Sequence, residues 1–193
     1  MIIWESGLIL TSNEHRCLLH AVNDPEQVLR DSIAEKARLR RDALISEWRP
    51  RLYADASVTE LPANDDDLAT LILARSDYQS RAQKDAAAER VVPISTEQRD
   101  KYAAVNRSGS TVTLFASGIT IPDLSANCIL AHVQNIEEWA MGAIRGQVSH
   151  GKKRMIAKYH PIIMADASVT TMPATEDGLI TMILARADYV RGG

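Results

Sequence analysis

The sequence predicts a mainly α-helical protein made of two tandem repeats of a small three-helix unit, each opened by a short β-strand or hairpin. One observation behind this prediction is that residues 1–81 and 112–193 read as two copies of one unit, with a single offset of 111 positions that holds from residue 6 to residue 78. The other is that apolar residues within each repeat recur at helical spacing. Residues 82–111 have no second copy, so the predicted domains are two repeats joined by a helical polar linker.

The repeat is clearest in its last third. Ala54–Thr59 returns without a change as Ala165–Thr170, and Ile72–Arg75 returns as Ile183–Arg186. About two thirds of the positions from 53 to 78 are identical to their counterparts, without a gap. Because the same offset also aligns weaker matches upstream, we interpret the pattern as an internal duplication.

Caps and apolar spacing predict three helices in each repeat. Asp24 followed by Pro25 is typical of a helix start, because the carboxylate accepts from open backbone amides and proline fits the first turn. Pro50 and Pro161 are predicted to end or kink the long helix, with one further turn beyond. The predicted helices are 13–22, 25–48 and 65–75 in the first repeat, and 123–133, 136–159 and a last helix carrying Leu179, Met182 and Ile183 in the second.

Short apolar segments on both sides of Ser6-Gly7 and of Ser117-Gly118 predict two strands in each repeat, which can pair as a small hairpin. The two repeats are expected to pack as a pseudo-two-fold pair, in the manner of a symmetric dimer fused into one chain. The linker is expected to form two exposed helical pieces, near 82–90 and 96–105.

Composition excludes several classes of function. The net charge of −3 and the isoelectric point near 6.0 give no overall attraction to nucleic acid or to an anionic membrane. Two cysteines are too few for a disulfide framework and are expected to be reduced core thiols. No apolar run approaches the ~18 residues of a membrane span, and the N-terminus lacks a signal-peptide pattern. We therefore expect a protein made in a reducing cytoplasm.

The motifs of common enzyme families are absent from the sequence. It contains no phosphate loop, dinucleotide fingerprint, Gly-x-Ser-x-Gly element or paired-cysteine zinc motif. The acidic run Asp65–Asp67 is interpreted as a helix start, where the helix dipole favours negative charge, and not as a calcium loop. We expect a protein that is not an enzyme, with no catalytic residue, cofactor, metal or small-molecule substrate.

Polar residues that are identical in both repeats form the first candidate site. One hypothesis is a structural network in which the arginine bridges the Asp-Ala-Ser-Val loop and fixes it against the last helix. The alternative is a binding site used twice. These residues are Asp55, Ser57, Arg75, Asp77, Asp166, Ser168, Arg186 and Asp188.

Basic residues cluster near the middle of the long helix in each repeat and form the second candidate. A solvated helix face is the ordinary interpretation, and a docking stripe for an acidic partner surface is the functional one. Contact with DNA is least favoured because no aromatic residues interleave with the basic ones. The residues of the candidate docking stripe are Lys36, Arg40, Arg41, Lys152, Lys153 and Arg154.

The segments 138–146 and 165–175, with Lys153-Arg154-Met155 between them, resemble small proteins encoded in tailed-phage genomes near the structural genes. Those proteins usually carry one such unit followed by a charged helical tail, whereas this chain carries two. The resemblance implies a virion component, such as a capsid decoration, neck or tail-adaptor protein, made in the host cytoplasm. Its partners would be capsid, portal or tail proteins in a symmetric assembly.

Two other hypotheses stay open on the residues alone. The chain could be a cytoplasmic binding or regulatory module that recruits other proteins. It could also be a small enzyme whose site forms between the two repeats, which a deep polar pocket with perturbed carboxylates would indicate.

Overall fold

The computed structural model describes residues 1–5, 7–88 and 111–191, and this part of the chain is mainly helical, as predicted. The helices are α1 (Ser12–Ala21), α2 (Pro25–Ala54), α3 (Asp65–Leu73), α4 (Arg81–Ala87), α5 (Asp123–Leu130), α6 (Ile136–Ala165) and α7 (Glu176–Leu184). The strands are β1 (Ile2–Ile3), β2 (Leu8–Thr11), β3 (Thr111–Leu114) and β4 (Ile119–Thr120). The predicted linker helix 96–105 lies outside the described residues.

The long helices α2 and α6 have 30 residues each and extend one and a half turns beyond their predicted ends. The predicted helix end at each proline is wrong, because both helices run through Pro50 and Pro161; the alternative, a kink at each proline, stays a prediction. Beyond each proline, Leu52 and Ile163 are almost completely buried. Burying such a side chain contributes about 1.5–3 kcal/mol, which offsets much of the ~3 kcal/mol that an interior proline costs.

Side-chain caps fix where the shorter helices begin. Thr11 and Glu14 form a reciprocal capping box at the start of α1. Asn64 accepts a hydrogen bond from the Asp66 N–H at the start of α3, at 2.8 Å. At the start of α7, the Thr175 side chain accepts a hydrogen bond from the Gly178 N–H. These caps satisfy amides that have no partner within the helix, and they fix the last helix of each repeat in register.

Each of the two small sheets joins segments from opposite halves of the chain. β1 pairs antiparallel with β4, and β2 pairs antiparallel with β3. The hairpin expected within each repeat is therefore wrong. Trp4 and Gly7, in the connection from β1 to β2, have φ angles of 51° and 77°, and the two strands on either side of this connection pair with β4 and β3 instead of with each other. Phe115 and Gly118 repeat the conformation between β3 and β4, with φ angles of 53° and 71°.

The described residues form two compact units, and each unit takes segments from both halves of the chain. Unit 1 contains residues 1–5, 30–88 and 117–140, and unit 2 contains residues 7–29, 111–116 and 141–191. The predicted domains 1–81 and 112–193 therefore do not coincide with the compact units. The reason is that strands pair between halves, and that the first helix of each half is buried against the last helix of the other.

The hydrophobic cores of the two units use the same repeat positions. In each unit a buried cysteine from the first helix of one half packs on the other half: Cys128 in unit 1 and Cys17 in unit 2. Burial raises the pKa of the Cys17 thiol to about 11. The matching core residues are Leu44, Trp48, Leu52, Ala69 and Ile72 in unit 1, and Met155, Tyr159, Ile163, Ile180 and Ile183 in unit 2.

The helix α4, which covers most of the first predicted linker piece, packs through a buried carboxylate. Ser80 and Gln83 form a capping box at its start. Asp85 accepts a hydrogen bond from Arg81 Nε at 2.7 Å and another from the side-chain amide of Gln134 at 2.5 Å. This helix is exposed, as predicted, at every position except Asp85, which ties the helix to the rest of unit 1.

Candidate functional site

The loop that follows α2 is closed by Asp55. Its Oδ1 accepts hydrogen bonds from the backbone N–H of Ser57 at 2.9 Å and from the Ser57 hydroxyl at 2.6 Å. A short polar side chain that bonds its own backbone two residues later produces a tight local turn. One carboxylate oxygen is used in this turn, and the other faces the end of α3.

Arg75 follows α3 and bridges two carboxylates. Its Nη2 donates to Oδ2 of Asp55 at 2.8 Å, and its Nε donates to Oδ1 of Asp77 at 2.8 Å. The helix α3 holds this arginine in place because Leu68 and Ile72 are buried in the core. The network therefore ties the loop after α2 to the end of α3.

The second repeat contains the same network in unit 2. The Ser168 hydroxyl donates to Asp166 Oδ1 at 2.6 Å. Arg186 donates from Nη1 to Asp166 Oδ2 at 3.0 Å and from Nε to Asp188 Oδ1 at 2.7 Å. The structure thus brings the polar residues of the first candidate site together in two matched networks, one in each unit.

Hydrogen bonding holds the pKa of Asp55 at about 2, first through the Ser57 hydroxyl, then through its N–H and through Arg75. The pKa of Asp166 is also about 2, with the Ser168 hydroxyl as the largest cause. A carboxylate with so low a pKa is a poor general base, so it does not activate the serine hydroxyl at neutral pH. The geometry favours a structural network over a catalytic one.

These lowered pKa values predict that the networks lose their contribution in acid. An aspartate in the unfolded chain titrates near pH 3.9, above the folded value of about 2, so the unfolded state takes up protons first. The stabilisation is complete above about pH 4 and falls as the pH drops towards 2. Between about pH 5 and pH 2, we expect the melting temperature of the native chain to fall further than that of the double variant Asp55→Asn, Asp166→Asn.

Thermal denaturation followed by circular dichroism at several pH values measures this difference. The variant Glu60→Gln changes an exposed loop carboxylate and serves as the control, since its acid profile should follow that of the native chain. Parallel acid profiles for the native chain and the double variant would show that the networks add nothing to stability.

Two residues of the predicted docking stripe connect helices within their own unit. Arg41 on α2 donates to Asp66 at 2.6 Å, and Lys152 on α6 donates to Asp177 at 2.8 Å. Both pairs occupy the same repeat positions, and both join the long helix to the first turn of the last helix. The acidic start of α3 thus has a second role, as the partner of a basic residue on the long helix.

The other stripe residues differ in exposure. The Lys36 ammonium lies 5.1 Å from the centroid of the Trp139 ring. Arg40 is half-buried, and its Nε is shielded from solvent without a hydrogen-bond partner among the described residues. Lys153 and Arg154 are exposed. The exposed part of the predicted stripe is therefore reduced to these last two residues.

Comparison with known proteins adds no assignment to this geometry. No protein-family model, no curated protein and no solved structure matches this chain. Within residues 1–5, 7–88 and 111–191, no group of three histidine, cysteine, aspartate or glutamate side chains is placed to hold a metal ion. In the same part of the chain, no helix combines the length and the apolar character needed to cross a membrane.

A matched pair of carboxylate contacts was missed by sequence reasoning. Glu137 Oε1 accepts a hydrogen bond from the backbone N–H of Trp4 at 3.0 Å, and Glu26 Oε1 accepts one from that of Phe115 at 2.8 Å. Positive φ angles cost an aromatic residue free energy, so these contacts help to hold the two connections. Both glutamates are identical at the repeat offset, but no local pattern links residues 133 and 89 positions apart.

Proposed function

We propose that this protein is a non-enzymatic component of a tailed-phage particle that works by binding other particle proteins. Its place is that of a capsid decoration, neck or tail-adaptor protein, made in the host cytoplasm. The phage assignment rests on the resemblance of segments 138–146 and 165–175 to such proteins. The binding mode rests on a surface feature that both units share.

The observation that carries the binding mode is a pair of exposed side chains at the same repeat position. Tyr53 is 75% exposed in unit 1, and Met164 is 64% exposed in unit 2. Each lies three residues after the proline of its long helix, in the last turn. Tyrosine and methionine are enriched in protein interfaces, and their exposure at matching positions favours a contact surface in each unit.

In unit 1, Tyr53 borders an open groove of about 480 Å³. The apolar residues Ile45 and Pro50 line it together with the charged residues Asp42 and Arg49. Apolar and charged residues side by side are typical of a protein contact surface. The helix beneath is held in place because its opposite face is buried in the core, so the surface is ordered before a partner binds.

The matched positions also support a duplicated architecture. The bounds of α2 and α6, and those of α3 and α7, differ by the same 111 positions as the sequence repeat. We attribute this to two tandem repeats that have exchanged their opening strands and first helices. Two versions of one contact surface in a chain can engage two equivalent sites of a symmetric assembly, which raises the apparent affinity without new contact chemistry.

The test is incorporation into particles. Phage particles assembled in cells that make this chain are purified, and the chain is quantified by mass spectrometry against the major capsid protein. We expect a stoichiometric amount of the native chain, and a loss of tenfold or more for the variant Tyr53→Glu, Met164→Glu, since burying an unpaired charge in an interface costs more than about 1.4 kcal/mol.

The variant Val28→Glu is the control, because Val28 is an exposed apolar residue of α2, at 37% exposure, and lies 14 positions before Asp42, the first residue of α2 that lines this groove. It should be incorporated like the native chain. A chain that is absent from particles and remains in the cytoplasmic fraction contradicts the proposal and favours a cytoplasmic binding module. Equal loss for the groove variant and the Val28 variant contradicts the proposed surface.

A further inference from the structure

A second feature repeats in both units with a different electrostatic character. Unit 2 contains a cleft of about 530 Å³ beside α1, and unit 1 contains a cleft of about 480 Å³ beside α5. Four lining positions of the two clefts are related by the repeat offset. They are Arg16, Leu19, Tyr189 and Arg191 in unit 2, and Asn127, Leu130, Tyr78 and Ser80 in unit 1.

At the four related positions, the two apolar residues are the same in both clefts and the two polar residues differ. The leucine and the tyrosine are the same in both units, whereas Arg16 replaces the amide of Asn127 and Arg191 replaces the hydroxyl of Ser80. The unit 2 cleft also contains His15. Among the described residues, no carboxylate side chain lines either cleft. The unit 2 cleft is therefore cationic, and the unit 1 cleft is neutral.

Arg191 is held in place in the cleft before any ligand binds. Arg191 donates from Nη2 to the Asn23 carbonyl oxygen at 2.8 Å and from Nε to the Leu19 carbonyl oxygen at 3.4 Å. Arg16 has no ion pair with a carboxylate among the described residues, at the 4.0 Å distance that defines one. Burial, followed by the charges of Arg16 and Arg191, lowers the pKa of His15, as expected for a half-buried site of positive potential.

We infer that the unit 2 cleft binds a small organic anion, whose phosphate or carboxylate group lies between Arg16 and Arg191. The guanidinium group suits both anions, because its planar set of N–H donors can form two parallel hydrogen bonds to their oxygens. The apolar part of the ligand packs against Leu19, Val112 and the ring of Tyr189, which line the same cleft. This site is separate from the particle-binding surfaces and does not depend on them.

The full-length chain is titrated in a calorimeter with three probes that share one aromatic ring: phenyl phosphate, benzoate and the neutral benzyl alcohol. We expect the two anions to bind and benzyl alcohol not to bind, with affinity falling as salt rises. Stronger binding of phenyl phosphate identifies a phosphoester ligand, and stronger binding of benzoate identifies a carboxylate ligand. Failure of both anions to bind at millimolar concentration overturns the inference.

Two substitutions install the residues that unit 1 carries at the same positions. Arg16→Asn and Arg191→Ser are each expected to weaken anion binding about tenfold or more, since each removes a charge-assisted hydrogen bond. Arg16 is exposed, so Arg16→Asn tests the site with the fold intact even if Arg191→Ser loosens the chain end. The control Arg30→Asn removes an exposed arginine of unit 1. Equal binding by native chain, Arg16→Asn and control overturns the inference.

Discussion

Replacing Gly151 by alanine is expected to destabilise this protein by about 3 kcal/mol or more. Gly151 is a buried residue of α6, and a Cβ atom at this position would overlap the carbonyl oxygen of Cys17 on α1. The same atom would lie 2.8 Å from the Cys17 carbonyl carbon and 3.2 Å from Cβ of Ala21. Because the obstacle is backbone, α1 has to move away from α6, which opens the core of unit 2.

Two other glycines of the same helix provide matched controls, because alanine at these positions is expected to raise the stability of the chain instead of lowering it. Apart from the nearby backbone of α6 itself, a Cβ atom at Gly142 or Gly146 would meet no atom of the described residues within 4 Å, and both residues are exposed. Alanine there should stabilise the chain by up to about 1 kcal/mol, because glycine is the less favourable residue inside a helix. Urea denaturation of the three single variants measures the differences. A Gly151→Ala variant as stable as the Gly146→Ala variant contradicts the close helix contact.

Cutting the backbone between the two halves is expected to leave them bound to each other. Each core is completed by the first helix of the opposite half, and each small sheet pairs strands from both halves. A protease recognition sequence placed between residues 89 and 110 of the full chain allows the cut. The halves should co-elute in size-exclusion chromatography, and unfolding should become dependent on protein concentration.

The cut removes the effective concentration that the covalent connection supplies, taken here as about 1 mM. At about 10 µM protein the expected loss of stability is therefore about 3 kcal/mol. Ile129→Asp, which places a charge at a fully buried position of α5, should make the cut halves separate. The control Asn127→Asp alters an exposed position of the same helix and should leave them together. Elution of the cut chain as two folded monomers would show that each half completes its own core.

Local features of this fold could be predicted because each depends on residues close together in the chain. The buried stripe of the long helix, with Leu29, Ile33, Ala37 and Leu44, follows from helical spacing, and all four residues are buried. Helix starts could be predicted for the same reason, since a cap and the amide it satisfies are two or three residues apart.

The candidate sites were predicted unevenly. The polar networks were found because their residues are identical in both repeats. In addition, Arg75 and its partner Asp55 are only 20 positions apart in the sequence. The docking stripe was predicted from charge alone, which does not reveal that Arg41 and Lys152 are paired with acidic residues of the last helix. The cationic cleft was missed because Arg16 and Arg191 lie at opposite ends of the chain and differ from their repeat counterparts. The phage assignment stays a prediction.

By itself the sequence determined the helices, their buried faces and the presence of two matching sets of core residues. Only the tertiary structure decided which half completes which core. The physical reason is that matching positions carry similar side chains. Cys17 and Cys128, for example, are both small and apolar, and each is followed by two aliphatic residues. The residues of the first helices alone therefore do not determine which of the two cores each helix packs against. In the structure, strands of the two halves pair with each other and each first helix packs on the opposite half, and such long-range contacts have no local pattern in the sequence.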